Sequence, residues 1–255
     1  MITCKWRSEF LSALQNNSII YHSIEGNLLS FPKHNFIIHL VNTKNNFLPE
    51  DLIHIQDQHS INNIKLIHLW EDVWTSKPEQ VLFRLMSLLG HNKRIHGRKT
   101  EVRKINKPEA DEFLNANHLQ GAVSSRYKFG LFYLNELLAV ATFSSLRKMN
   151  HTENYKSLEL IRFATKGGYS ITGGLSKLIK HIERLVMPND IMTYADRDWS
   201  AGESYFKIDF KNISILPPQY FNLDTNLKRK LQKDNIEFTC SNVFNTGSIK
   251  FILRF

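Results

Sequence analysis

The stretch from Leu158 to Asp196 constrains this chain more than any other. Gly167-Gly168 and Gly173-Gly174 frame a loop, after which Leu175, Leu178, Ile179, Ile182, Leu185 and Val186 recur at helical spacing until Pro188 stops them. Leu158-Glu159-Leu160-Ile161-Arg162-Phe163 before the loop and Ile191 to Asp196 after the helix read as strands. Strand, glycine turn, amphipathic helix and strand in this order point to an α/β fold. The turn has a chemical use as well. Unpaired N–H groups at a helix start, reinforced by the helix dipole, hold a pyrophosphate, and two glycines let it approach closely. Gly173, Gly174, Ser176 and Lys177 are therefore candidate cofactor-binding residues; a plain helix entry is the other reading.

The flanking sequence extends the pattern. Glu101 to Ile105 reads as a strand, and Asn106-Lys107-Pro108-Glu109 opens a helix running to about Asn117. Tyr127 to Leu134 and Leu137 to Ser144 follow as two strands separated by Asn135-Glu136, a tight hairpin. Trp199 to Phe206 reads as a short helix and Ile249 to Phe255 as a closing strand. The character changes near Gly90 to Lys99, so the expected domains are 1–92 and 93–255. Within the first, Asn35 to Val41 and Ile64 to Trp70 look like buried strands. Ser76-Lys77-Pro78-Glu79 forms a capping box before the stripe Val81, Leu82, Leu85, Met86 and Leu89.

Composition narrows the function classes. With 42% hydrophobic residues and only 11 Gly and 7 Pro in 255, the chain can build a core and is not low-complexity. No apolar run approaches the roughly 20 residues of a membrane helix. The first ten residues lack the apolar centre of a signal peptide. A cytoplasmic protein with no membrane partner is expected. Cys4 and Cys240, far apart, are expected to be reduced and structural, and the histidines form no evident metal-ligand set, so no metal is expected. The 33 Lys and Arg against 24 Asp and Glu give a net charge of +9, a field attractive to phosphates.

Candidate chemistry follows from position. Alternation puts Glu159 on a face with Ile161 and Phe163, where it is either a general base of raised pKa or the partner of a neighbouring Arg. Asp196 ends a strand, where sites in open sheets are usually built. Tyr194 is a proton donor or a packed ring, and His118, followed by Gln120, faces an acceptor or is an ordinary histidine. Arg98 and Lys99 at the junction, with Arg126, Arg147, Lys148, Arg162 and Arg197, are candidate phosphate contacts, and Trp199 a candidate base-stacking ring. A solvated basic face is the bland alternative.

The segments Asn117-His118-Leu119-Gln120-Gly121, Glu159 to Phe163, Gly173 to Leu178 and Tyr194 to Gly202 resemble the GNAT-like (N-acyltransferase) domain of phage homing-endonuclease-like proteins. They are more distantly similar to the Mom DNA-modification protein of bacteriophage Mu. The likeness spans roughly Arg98 to Phe210. It implies a mixed central sheet flanked by helices, acetyl-CoA or another acyl-CoA as donor, a DNA base as acceptor, and a site lined by Glu159, Ser176, Tyr194 and Asp196. His68-Leu69-Trp70-Glu71-Asp72-Val73-Trp74 resembles the end of a Vsr-like nuclease strand. Between Asn27 and Pro49, however, no Asp or Glu supplies the further carboxylates that Mg²⁺ needs. The first half thus reads as a small, degenerate restriction-endonuclease-like α/β domain. Three rival functions remain. One is a mobile-element DNA-binding protein without transferase activity, and another is a nuclease using Glu71 and Asp72 with Glu50 or Asp51. The third is an N-acyltransferase of small molecules or proteins.

Overall fold

The computed structural model describes residues 5–25, 27–149, 152–232 and 243–255; Cys4 and Cys240 lie outside them. In chain order the elements are α1 (Lys5–Asn16), β1 (His22–Ile24), β2 (Leu28–Phe31), β3 (Phe36–Val41), α2 (Pro49–Ser60), β4 (Lys65–Trp70), α3 (Glu71–Ser76) and α4 (Pro78–Leu88). There follow β5 (Lys93–His96), β6 (Glu101–Lys104), α5 (Lys107–Asn117), β7 (Tyr127–Tyr133), β8 (Glu136–Phe143), β9 (Arg147–Lys148), β10 (Lys156–Thr165) and β11 (Tyr169–Thr172). Then come α6 (Gly174–Val186), β12 (Asp190–Asp196), α7 (Glu203–Phe206), β13 (Lys211–Leu216), β14 (Tyr220–Leu223), β15 (Arg229–Leu231), β16 (Val243–Phe244) and β17 (Ser248–Arg254).

Two compact units form. The first takes the described residues of Met1–Pro78, Ala195–Glu203 and Ser214–Ile249, and the second takes Glu79–Tyr194, Ser204–Ile213 and Lys250–Phe255. This division differs from 1–92 and 93–255 at both ends, for packing reasons. In α4, the Phe83 ring fills the space over Gly167 and Gln80 donates to the Asn115 carbonyl, so the helix joins the second unit. Ser76 belongs to α3, and its hydroxyl donates to the Asp72 carbonyl one turn back.

In the first unit β3 and β4 pair in parallel from Phe36↔Lys65 to Val41↔Trp70, with β2 and β1 added antiparallel. Both strands are buried almost throughout, which explains their near-continuous apolar sequence. Val41, Leu52 and Trp70 form a core with Val243 and Phe244 of β16, the Trp70 and Phe244 rings meeting edge-on at 5.1 Å. His39 and His68, register partners inside this sheet, are both buried. His68 Nε2 lies 3.1 Å from the Leu52 carbonyl oxygen and so carries the proton. Its Nδ1 then accepts from His39 Nδ1, also 3.1 Å away. Burial above all pushes both imidazoles down to about 3; His68, Arg7 and His59 add to it for His39, and for His68 the Leu52 carbonyl opposes it while Arg197 adds to it.

The second unit is a mixed sheet flanked by helices, as expected for its part of the chain. Strand order runs β13-β17-β12-β10-β8-β7-β6, with β9 paired to β10. Strands β6, β7, β8 and β10 are successively antiparallel, and β12 lies parallel to β10. The β7–β8 hairpin turns at Leu134-Asn135, one residue earlier than expected. Both adopt positive φ (51° and 64°), the pattern of a type I′ turn. Asn106 caps α5 as the sequence indicates, its Oδ1 accepting from the Glu109 N–H at 2.9 Å. Helix α5 buries Ala110, Phe113 and Leu114 against Ile105, Val140 and Ala164. Helix α6 buries Leu175, Leu178, Ile179 and Ile182, while Leu185 of the expected stripe is exposed. Only Glu203–Phe206 of the expected short helix is helical.

Candidate active site

Strands β10 and β12 are held together by three register pairs and then part. The pairs are Ser157↔Asp190, Leu158↔Ile191 and Glu159↔Met192. Asp190 anchors this short ladder, accepting from the Ser157 hydroxyl at 2.5 Å and the Tyr155 hydroxyl at 2.8 Å. Past Glu159 the ladder stops, and the Thr193 hydroxyl donates to the Leu160 carbonyl at 2.9 Å in place of a backbone bond. On its other edge β10 shifts register against β8 between Leu160 and Arg162, a bulge that spends Ile161 as the extra residue. Where the ladder ends beside the bulge, Leu160, Thr193 and Ala195 stay buried while Tyr194 is exposed.

Glu159 and Tyr194 lie at this parting. Glu159 Oε2 accepts from Arg147 Nη2 at 3.2 Å, with about a fifth of the Glu159 side chain exposed. The ion-pair alternative for Glu159 is therefore present. Its surroundings are half-exposed and polar rather than the apolar face that simple alternation implied. Tyr194, 37% exposed, points its hydroxyl toward Met192 Sδ at 3.9 Å. Burial of its hydroxyl and the nearby Glu159 carboxylate raise the Tyr194 pKa above that of an ordinary phenol, and Arg147 opposes the rise. The group is a protonated O–H at neutral pH. Thus Glu159, Tyr194 and Arg147 form one cluster.

The structure sends other candidates elsewhere. Arg162, which follows the bulge on β10, is mostly buried. Its Nε donates to the Gly121 carbonyl at 3.2 Å and its Nη1 to that of Ile161 at 2.9 Å. Burial lowers its pKa, partly offset by Glu159 and Tyr205. It is thus a positioning element for the His118–Gly121 turn, not an exposed phosphate contact. His118 ends α5, and its Nδ1 accepts from the Gln120 N–H at 3.1 Å. Asp196 belongs to the first unit and holds a turn, its Oδ1 accepting from the Asp198 N–H at 3.0 Å. Arg197 pairs with Asp57 and donates to the Thr246 carbonyl, and Trp199 is 7% exposed, unable to stack a nucleobase. Arg98, Lys99, Arg126, Arg147 and Lys148 are exposed.

The glycine turn is built differently from expectation. Gly173 has φ +73° and open space where a Cβ would stand, so its conformation, not crowding, calls for glycine. A Cβ on Gly174 would lie 2.7 Å from Ile171 and 2.9 Å from Leu131, so this glycine serves core packing. The Lys177 ammonium donates to the carbonyls of Gly97 and Thr100. It is a structural tie, which corrects its assignment as a phosphate donor. The first backbone bond of α6 runs from the Lys177 N–H to the Gly173 carbonyl at 3.1 Å, which leaves the N–H groups of Gly174, Leu175 and Ser176 outside the helical ladder, as at any helix start. Sequence reasoning passed over Gly97, where a Cβ would lie about 3.0 Å from the Gly173 backbone, so that only glycine lets the two segments pack this closely. It also missed Thr193 and the role of Arg147.

The carboxylates of the first unit are committed. Arg229 forks onto Asp72 at 2.7 and 3.1 Å, and Glu71 accepts from the Thr43 N–H at 2.9 Å and hydroxyl at 2.8 Å. Among the described residues no group of three or more His, Cys, Asp or Glu could hold a metal ion. Nor is any described helix long and apolar enough to cross a membrane.

No family model and no curated protein matches this chain. Solved acetyltransferases are similar to it in part. One from Bacillus subtilis, in complex with CoA, is 13% identical, covering 62% of this chain and 99% of its own with a TM-score of 0.41. A GNAT family acetyltransferase from Elizabethkingia anophelis with acetyl-CoA bound is 12% identical (62% and 99%, TM-score 0.37). The ribosomal-protein-S18-alanine N-acetyltransferase from Escherichia coli is 14% identical (61% and 93%, TM-score 0.40). At this distance the chemistry of the chain has to be read from its own residues.

Proposed function

We propose that this chain is an acyl-CoA-dependent N-acyltransferase whose acceptor is a nitrogen of a nucleic acid, a DNA base in the first instance. The observation that carries this reading is the parting of β10 from β12 with Glu159 and Tyr194 at its lip. The residues of the glycine turn fit a donor in one respect and not in another. Gly173 is exposed, and the first N–H groups of α6 suit a pyrophosphate together with the Ser176 hydroxyl. Lys177 does not contribute, being tied to Gly97 and Thr100.

When bound, acyl-CoA supplies a thioester carbonyl activated toward an amine. In this reading the acceptor nitrogen forms the new C–N bond, its proton passes to the Glu159 carboxylate, and the C–S bond breaks. Tyr194, which its raised pKa keeps protonated at neutral pH, gives the departing sulfur its proton. Arg147 orients Glu159 through their ion pair. A duplex acceptor has to be flipped into reach at a cost of a few kcal/mol, which phosphate contacts by the basic surface offset.

The test is transfer of labelled acetyl from acetyl-CoA to duplex DNA, single-stranded DNA, RNA and a peptide mixture in parallel. Label retained on nucleic acid supports the proposal. Label on peptide alone moves the activity to another acceptor, and label on none of them overturns it. Binding of DNA without turnover is the second reading, favoured by the engagement of Lys177 with backbone carbonyls.

A further inference from the structure

Residues 91–100 read His-Asn-Lys-Arg-Ile-His-Gly-Arg-Lys-Thr, four fixed cations and no carboxylate. The structure holds this segment rigidly. Strand β5 pairs in parallel with β11, from Lys93↔Tyr169 to His96↔Thr172, and the Lys93 N–H donates to the Gly168 carbonyl at 2.8 Å. Gly97–Lys99 then form one 3-10 turn, pinned by the Lys177 ammonium and by the close approach of Gly97 to Gly173. Ile95, Gly97 and Thr100 are buried, whereas Lys93, Arg94, His96, Arg98 and Lys99 are exposed.

Strand geometry decides which way the charge points. Alternate residues of a strand share a face and lie about 6.6 Å apart, so Arg94 and His96 project side by side. Arg98 continues outward from the turn. Elsewhere many cations are spent: Lys65, Arg103, Lys107, Arg147, Lys166, Arg197 and Arg229 all pair with carboxylates. Among the described residues none of Lys93, Arg94, Arg98 and Lys99 does so, and the nearest carboxylate in sequence, Glu101, is taken by Arg103. Lys93 Nζ lies 5.8 Å from the centre of the Tyr169 ring.

We infer that the ridge Lys93–Lys99 is a docking surface for the phosphate backbone of a nucleic acid. It exposes cations and no apolar side chain, whereas protein partners are held by buried aromatic and aliphatic anchors, which this ridge lacks. A row of unpaired cations on a fixed backbone suits contacts that position a polyanion without reading its sequence. This rests on the nucleic-acid half of the proposed function and not on its donor half.

The test uses the full chain carrying R94E, R98E and K99E together, with the triple variant K180E, R184E and K211E, at exposed positions elsewhere, as the charge-matched control. Binding of a labelled random-sequence duplex is followed by fluorescence anisotropy across a salt series, alongside titrations with acetyl-CoA and poly-glutamate. The expected result is a loss of about tenfold or more in duplex affinity for the ridge variant. The salt slope should fall by roughly 0.9 per phosphate contact removed, with a much smaller change in the control. Equal losses in both triple variants would make the binding diffuse and overturn the proposal. So would a ridge variant that keeps its DNA affinity but loses acetyl-CoA, which assigns the cations to the donor phosphates. Tighter binding of poly-glutamate than of DNA by the wild type would point to an acidic protein instead. If the wild type binds no nucleic acid but transfers acetyl groups, the ridge proposal fails while the transferase half stands.

Discussion

At the residue scale, function turns on whether a side chain has already found a partner. Glu159 was legible as an exception on its strand, and its two readings, base or ion-pair member, were both open from sequence. The Arg147 contact now shows that the pair exists, without removing the carboxylate from the parting of the strands. Lys177, Arg162, Arg197 and Trp199 carry identities that suggest phosphate or base contact, yet each is spent on backbone, carboxylate or core. Nothing local in the sequence reveals such partners, because they lie tens of residues away. Tyr194→Phe should lower the transfer rate by about 10²-fold while changing acetyl-CoA affinity little, as expected for loss of a proton donor. Steady-state kinetics with the rate and KM separated check this. The two adjacent glycines should behave differently. Gly174→Val should destabilise the protein by about 1–3 kcal/mol through overpacking against Ile171 and Leu131, read from urea unfolding. Gly173→Asn, which tolerates positive φ, should cost distinctly less.

At the element scale, the parts that folded as read are those whose signals are local. Helix α5 has its Asn106 cap, α6 its apolar stripe, and the β7–β8 hairpin its flanking aliphatic runs. The parts that escaped notice depend on distant pairing. Strands β5 and β11 are four residues each and exist through one another, and β16 contributes two residues that are buried against Trp70. The Asp72–Arg229 pair, 157 residues apart, is of the same kind. Asp72 is 1% exposed, so removing its partner leaves a nearly buried charge uncompensated. Arg229→Ala should accordingly cost about 3–5 kcal/mol, whereas replacing both residues by apolar ones of similar volume should cost much less. Equilibrium unfolding of the single and double variants measures the difference.

At the scale of the whole molecule, four tryptophans make the first unit observable, since Trp6, Trp70, Trp74 and Trp199 all belong to it. The buried His39–His68 pair gives that unit a pH dependence of fixed sign. Above pH 6.5 the imidazoles are neutral in both the folded and unfolded states. As pH falls toward about 3, the unfolded chain takes up protons that the folded pair refuses, so stability declines across that window. The urea midpoint from tryptophan fluorescence should therefore fall steadily below pH 6.5, and His39→Leu should flatten the slope. The second unit carries the transferase claim, and one titration addresses it most directly: calorimetry of acetyl-CoA into the wild type and Gly173→Asp. An Asp at that N-terminal position suits the helix dipole, fills open space and is among the side chains that tolerate φ +73° at small cost, so the fold should persist. Its charge, however, stands where a pyrophosphate would bind. The account predicts saturable binding to the wild type and its loss in a variant of unchanged circular dichroism, whose Tm falls only by the small cost of an Asp at φ +73°. Absence of binding to the wild type, or equal binding to both proteins, would contradict it.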